Sequence, residues 1–118
     1  MNVIINDNIV KVKVCSTFDS IKEGMMGKNF NHTFNGMLFL MPESTEQSFW
    51  MYNCIIPLDI LMIDNNIITE IHSDCEPCHD IDNCDNYKGY GSLVLELPGG
   101  YCNTNDIKKG DKVSFSLY

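Results

Sequence analysis

Short apolar segments recur along the whole chain and are separated by polar, asparagine-rich stretches. Between residues 9 and 14, Lys11 and Lys13 alternate with apolar residues at a period of two, the pattern of a half-buried β-strand. Asp64, Asn65 and Asn66 separate two further apolar segments, and asparagine tolerates the positive φ that tight hairpin turns require. The pattern predicts strands at residues 3–5, 9–14, 36–41, 48–54, 58–63, 67–71, 92–97 and 113–118.

One segment near the N-terminus departs from the strand pattern. Residues 16–27 predict a short helix, with Ser16 or Thr17 as its N-cap and Gly27 at its end. Its expected apolar face consists of Phe18, Ile21 and Met25. The polar segments 28–35, 42–47 and 74–91 are predicted to be loops, and residues 101–106 a helical turn. Seven or eight short strands with one short helix predict an all-β fold, a single compact β-sandwich or small barrel spanning residues 1–118.

Length and charge exclude several classes of protein. A chain of 118 residues is long enough for one domain and too short for two. The net charge is −8, with sixteen acidic residues, eight lysines and no arginine. Such a surface lacks the basic footprint that binds nucleic acid or anionic lipid, so neither partner is expected.

No targeting segment and no apolar run of roughly 20 residues is apparent, so we expect no membrane span. Thirteen asparagines and thirteen isoleucines are typical of an A+T-rich coding sequence, such as that of a phage or virus. We therefore expect a cytoplasmic or virion-associated protein. Cysteines in the cytosol are reduced by default.

Three thiols lie within ten residues, at Cys75, Cys78 and Cys84, in the most acidic part of the chain. They predict one of four states: a metal site, a disulfide, free thiols or a redox pair. Together with His79 or His72 they form a ligand set suited to tetrahedral zinc. A redox pair is disfavoured, because no helix pattern follows the C-x-x-C motif and acidic neighbours raise a thiol pKa. No cofactor is predicted, with zinc as the alternative.

Two other metal sites are weaker. The acidic run Asp80, Asp82 and Asp85 fails the calcium-loop template, whose twelfth position here is Gly91 instead of glutamate. A solvated acidic loop is the simpler interpretation. The methionines fall on predicted core faces, where they fill gaps in packing, and do not indicate a copper site.

A second candidate site consists of Trp50, Asn53, Asp59 and Glu96. Asp59 and Glu96 occur in otherwise apolar strands, where an unpaired buried carboxylate costs several kcal/mol. Each needs backbone amides, a lysine or the mouth of a pocket. Two carboxylates with a tryptophan are typical of sugar sites and glycosidases. The structural alternative is that Asp59 caps a bend after Pro57 and Glu96 faces solvent.

Several motifs occur in a fixed order between about Cys15 and Phe115. They are GMMGK at 24–28, GMLF at 36–39, FWMYN at 49–53, PLDI at 57–60, Pro77 with Cys78, Cys84 with Tyr87, VLEL at 94–97 with Gly100, and IKKGD at 107–111. In this order they resemble the family of small conserved proteins catalogued as domain of unknown function 192. The resemblance implies an all-β fold with a short helix near the N-terminus and no established activity.

The resemblance also bears on the thiols. A proline–cysteine followed by a later cysteine occurs in part of the family, which implies that Cys78 pairs with Cys84. Such a disulfide closes a small loop and contributes about 2 kcal/mol. The chain departs from the family at Lys28, where arginine is frequent, and at Cys54, where threonine is frequent. The secretion signal of many relatives is not seen here.

Two classes of function follow. The first is a non-enzymatic binding or structural module, whose loops and Trp50 contact a ligand or a macromolecule, in a virion if the source is viral. The alternative is a small metal-dependent or carboxylate-based enzyme acting on a small ligand such as a sugar. The first is favoured, because no general base, nucleophile or cofactor cradle can be named with a partner.

Overall fold

The structure is a computed structural model and describes residues 1–117. Across these residues the chain forms seven strands and two short helices. They are β1 (Asn2–Ile5), β2 (Asn8–Cys15), α1 (Phe18–Glu23), β3 (Gly36–Phe49), β4 (Leu58–Asp64), β5 (Ile67–Cys75), β6 (Tyr87–Pro98), α2 (Tyr101–Thr104) and β7 (Val113–Ser116). Tyr118, the last residue of the predicted final strand, lies outside the described residues.

The strands form a single sheet in the order β5-β4-β6-β3-β2-β1-β7. All neighbours are antiparallel except β2 and β3, which are parallel and are joined through α1. The two edges of the sheet approach each other, because Ile67 of β5 forms a β-bridge with Lys112, next to β7. The N–H of Val113 also donates to the carbonyl of Asn66, at 2.8 Å. The sheet is therefore curled into a small barrel, which confirms the all-β prediction.

Alternation along the strands creates two apolar layers, one on each face of the sheet. In β4 and β6, Leu61 and Leu95 point into the barrel interior, where every strand contributes a side chain. Ile60 and Val94 point to the opposite face, which α1 and its neighbouring loops cover. All four residues are fully buried. Because both faces are covered, residues 60–63 of β4 are all apolar and do not alternate with polar ones.

Two loop predictions are wrong. Strand β3 continues through the predicted loop 42–47, and the predicted strand 48–54 leaves the sheet after Phe49. Pro42 lies where the β3–β6 register shifts between Leu40 and Thr45, and at such an irregularity its missing N–H costs no ladder hydrogen bond. The predicted loop 74–91 is also shorter than expected, because β6 begins at Tyr87 and pairs with the end of β3.

Helix α1 is shorter than predicted. Thr17 is its N-cap, and the Thr17 and Ser20 side chains and backbone form a capping box. Gly24 ends the helix with a φ of 46°, three residues before the predicted end at Gly27. Phe18, expected on the buried face, is 80% exposed. Within residues 1–117 no helix is long and apolar enough to span a membrane.

Candidate functional site

The two candidate carboxylates lie on opposite faces of the sheet. In the β4–β6 register Asp59 is opposite Leu97, and Ile60 is opposite Glu96. Since successive side chains of a strand point to opposite faces, Asp59 and Glu96 cannot share a site. The paired arrangement expected of a glycosidase is therefore not formed, and each carboxyl has its own surroundings.

Asp59 is an internal anchor for backbone amides. It is fully buried. Its Oδ1 accepts hydrogen bonds from the N–H groups of Asp74, at 2.9 Å, and Gly100, at 3.0 Å. Its Oδ2 accepts one from the N–H of Cys102, at 2.8 Å. These amides are distant in sequence, so Asp59 does not cap a bend after Pro57 as the structural alternative predicted. It joins the end of β5 to the first turn of α2.

Glu96 is buried and has no such partners. Only 3% of the residue is exposed, so the prediction that it faces solvent is wrong. Among the described residues no hydrogen bond to its carboxyl is formed, and because no fully enclosed side-chain oxygen there lacks a partner, the carboxyl oxygens reach accessible surface. It lines a cavity of about 190 Å³. Burial raises its pKa from 4.5 to about 8, so the carboxyl is mostly protonated at neutral pH.

The cavity lies between α1, strand β3 and residues 50–54, which we call the wall segment. Its apolar lining includes Ile21, Met25, Phe39, Met41, Phe49 and Tyr52. Trp50, the single tryptophan of the chain, is 36% exposed and also lines it. Of the four predicted site residues, the structure thus brings Trp50 and Glu96 together.

Edge-to-face and tilted aromatic pairs hold the walls in place. The rings of Phe39 and Phe49 are T-shaped, with centroids 5.0 Å apart. Those of Trp50 and Tyr52 are tilted at 5.1 Å. At Gly24 an added Cβ would lie 3.3 Å from the Phe39 ring, so a glycine there lets the end of α1 approach this wall closely.

Charges near the cavity are largely compensated. Lys28 Nζ lies 2.9 Å from Glu23 Oε1 and donates to the carbonyl of Gly24. Its hydrogen bond to Glu23 lowers the pKa of that carboxyl. Burial, with Glu96 as a second cause, raises the pKa of the lining thiol Cys54 to about 12, so this thiol stays protonated and is a poor nucleophile.

Asn53 does not line the cavity. It is exposed and has a φ of 56°, a conformation that asparagine tolerates. Its N–H donates to the carbonyl of Cys78 at 2.9 Å, and its carbonyl accepts from the N–H of Gly27. Asn53 is thus a turn residue that joins the wall segment to its neighbours on both sides.

Sequence reasoning missed the contribution of α1 to this site. Ile21, Lys22 and Glu23 line the cavity, although the helix was expected only to cover the core. The available signal was the GMMGK motif that follows α1. Gly24 and Met25 of this motif line the same cavity as Glu96, but only the folded chain shows this.

Cys78 and Cys84 form a disulfide with a Cα–Cα distance of 5.7 Å. This is the pairing that the family resemblance implies. The bond lies within residues 76–86, the segment between β5 and β6, which we call the disulfide loop. The N–H of Cys78 donates to the carbonyl of Met51 at 3.1 Å, and Tyr52 forms a parallel β-bridge with Cys78. The disulfide loop therefore supports the wall segment from outside.

The zinc set is not assembled. Cys78 and Cys84 are bonded to each other, His79 is exposed, and Cys75 is buried with its Sγ 3.4 Å from the carbonyl of His72. Residues 1–117 contain no group of three or more His, Cys, Asp or Glu side chains arranged to hold a metal ion. Zinc would require reduction of the disulfide and movement of Cys75.

Asp59→Ala should strongly destabilise the fold, because it leaves three buried or half-buried N–H groups without their charged acceptor. A loss of about 3 kcal/mol or more in the free energy of unfolding is expected. Urea denaturation measures it, with the exposed Asp85→Asn as a matched control expected within about 0.5 kcal/mol of wild type. Equal stability of the two variants would contradict the anchoring role.

Alkylation of the denatured protein without reductant should modify the four free cysteines, Cys15, Cys54, Cys75 and Cys102. After reduction all six should react. Intact-mass spectrometry counts the adducts. Six adducts before reduction, in protein purified under air, would show that the disulfide is not formed.

The Glu96 carboxyl should make the protein less stable as pH rises. Its folded-state pKa of about 8 lies above the ordinary value of 4.5, so between these pH values the native state holds a proton that the unfolded chain releases. The stability of wild type relative to Glu96→Gln should therefore fall across this window, by roughly 3–5 kcal/mol. Parallel urea titrations measure the difference, and a difference independent of pH would contradict the buried, unpaired acid.

Solved structures with the same fold come from two bacteria. A protein of unknown function from Novosphingobium aromaticivorans is 26% identical to this chain, with a TM-score of 0.83. The match covers 97% of this chain and 84% of the Novosphingobium chain. A protein from Sinorhizobium meliloti, to which a role as a transcription regulator is provisionally assigned, is 25% identical with a TM-score of 0.81. That match covers 96% of this chain and 89% of its own.

Among curated proteins, none matches the chain significantly. The family model DUF192, described as "Uncharacterized ACR", matches residues 1–115, nearly the entire sequence. The motifs on which the resemblance rests include FWMYN in the cavity wall and VLEL around Glu96. This chain belongs to the DUF192 family.

Proposed function

We propose that this protein is a small-ligand binding domain, and that the ligand occupies the cavity beneath α1. The observation that carries the proposal is Glu96. The residue is 97% buried, and its carboxyl lines the cavity with no hydrogen-bond partner among the described residues, so its removal from bulk water costs free energy. A ligand that pairs with the carboxyl offsets that cost.

The shape and lining of the cavity support this proposal. Ligand sites are concave, mostly apolar and contain a few polar groups that fix orientation. Here Phe39, Phe49 and Met41 form apolar walls, and Glu96 is the buried polar side chain among them. Trp50 and Tyr52 add two rings at the exposed side.

Binding is better supported than catalysis. A general acid or base needs a reacting partner, and the other carboxylate predicted for the site, Asp59, lies on the other face of the sheet with its oxygens bonded to three amides. The lining thiol Cys54 is protonated. Among the described lining residues the other carboxyl is that of Glu23, which is exposed and paired with Lys28, so the sugar-cleaving alternative lacks a free second carboxylate beside Glu96.

The regulatory role assigned to the Sinorhizobium relative agrees with a ligand-sensing domain. Direct contact with DNA is disfavoured for this chain, since its net charge is −8 and it has no arginine. A virion-associated or accessory role, which the composition indicates, stays a prediction.

A fragment screen by NMR tests the proposal. Amide shifts of ¹⁵N-labelled protein should change for residues 21–26, 39–41, 48–54 and 96 when a fragment binds. Ser48→Tyr, at an exposed lining position of β3, should weaken binding at least about tenfold by filling the cavity.

The matched control is Ser73→Tyr, at an exposed position of β5 that does not line the cavity. It should bind fragments as wild type does. Shift changes that cluster elsewhere, or binding that Ser48→Tyr leaves intact, would rule out this cavity as the site.

A further inference from the structure

The Glu96 carboxyl presents two complementary hydrogen-bonding groups side by side. A protonated carboxyl carries one O–H donor and one carbonyl acceptor on the same carbon atom. No described residue pairs with either group, and both belong to a side chain that lines the cavity. A ligand satisfies both groups at once if one edge carries an acceptor for the O–H and, next to it, a donor for the carbonyl oxygen. The edge of an amide has this arrangement.

The walls favour a flat ligand. Four aromatic side chains, those of Phe39, Phe49, Trp50 and Tyr52, line the cavity, and aromatic faces stack on planar rings. The volume of about 190 Å³ slightly exceeds the roughly 150 Å³ of an engineered apolar cavity that binds benzene. The cavity therefore accommodates one ring with a small substituent.

The surrounding charges favour an uncharged ligand. The ionisable groups around Glu96 come from four elements: Lys22 and Glu23 of α1, Cys15 of β2, Tyr52 and Cys54 of the wall segment, and Cys75 of β5. The thiols are buried and uncharged, and Glu23 is paired with Lys28. Lys22 is exposed on the helix surface.

A sugar fits this cavity poorly. Its hydroxyls surround the ring and need several polar partners once they are removed from water. Glu96 is the one buried polar side chain among the described lining residues, and others such as Ser48 and Lys22 are exposed, so the hydroxyls at the buried end of a sugar ring would share a single partner.

We infer that the cavity takes an uncharged, planar, single-ring ligand whose edge carries a hydrogen-bond acceptor next to a donor, such as a lactam, with the Glu96 carboxyl pairing to that edge. The inference rests on the proposed function and specifies its ligand class.

The test compares three probes of similar size: 2-pyridone, toluene and benzamidine. Trp50 fluorescence and NMR shifts of the lining residues report binding to the full-length protein. 2-Pyridone carries the acceptor–donor edge, toluene has only the ring, and benzamidine is a cation that needs an ionised carboxylate. Wild type should bind 2-pyridone at least about tenfold more tightly than either control.

Two substitutions at position 96 separate hydrogen bonding from packing. Glu96→Gln keeps a donor beside an acceptor and should retain 2-pyridone binding within about threefold. Glu96→Leu removes both groups and should weaken binding roughly tenfold, without unfolding the protein, because leucine suits an apolar site. Glu46→Leu, at an exposed position of β3 outside the cavity, is the control.

The pH dependence of 2-pyridone binding provides a further test. Binding of 2-pyridone to wild type should weaken as pH rises through about 8, where Glu96 loses its proton, and should stay constant in Glu96→Gln. Benzamidine bound more tightly than 2-pyridone, and lost in Glu96→Gln, would overturn the inference in favour of a cationic ligand.

Other outcomes separate this inference from the proposed function. Toluene and 2-pyridone binding equally, with no effect of Glu96→Leu, would overturn the ligand class while leaving the cavity as a binding site. If 2-pyridone does not bind while other fragments bind in the cavity, the ligand class is likewise overturned and the binding site stands. If Ser48→Tyr also leaves all fragment binding unchanged, the proposed function itself fails.

Discussion

The period-two alternation of β4 and β6, two neighbouring strands of the sheet, decides which apolar layer each buried carboxyl enters. Each strand sends one set of side chains into the barrel and the other set toward the layer under α1. A carboxyl at position 59 therefore enters the interior, and one at position 96 enters the opposite layer. A shift of one residue in the register would exchange the two environments.

The two buried acids show how surroundings decide the role of the same chemical group. Asp59 meets three inward-pointing amides, which satisfy its charge and make it part of the scaffold. Glu96 meets methionines and aromatic rings, and burial raises its pKa to about 8. An unpaired polar group of this kind is destabilising, and such departures from an optimal core are expected at functional sites.

The disulfide loop and the cavity are mechanically linked, although they are distant in sequence from α1. Residues 50–54 pair with Cys78 on one side and, through Asn53 and Cys54, with the turn after α1 on the other. The disulfide thus restrains a segment whose side chains form the cavity wall. At 118 residues the chain is large enough to fold without cross-links, so the local effect of the bond is to restrain this wall.

The fold class, most strand positions and two candidate N-caps of α1, Ser16 and Thr17, followed from local patterns of alternation and capping, and the family followed from the order of its motifs. It also singled out Trp50, Asp59 and Glu96 as residues needing an explanation, since a carboxyl in an apolar strand is unusual. That Asp59 anchors three amides and that Glu96 lines a cavity is seen only in the folded chain. The reason is physical: what surrounds a buried carboxyl depends on strand register, on the bulge near Pro42 and on the position of α1, which are long-range contacts that no local pattern encodes.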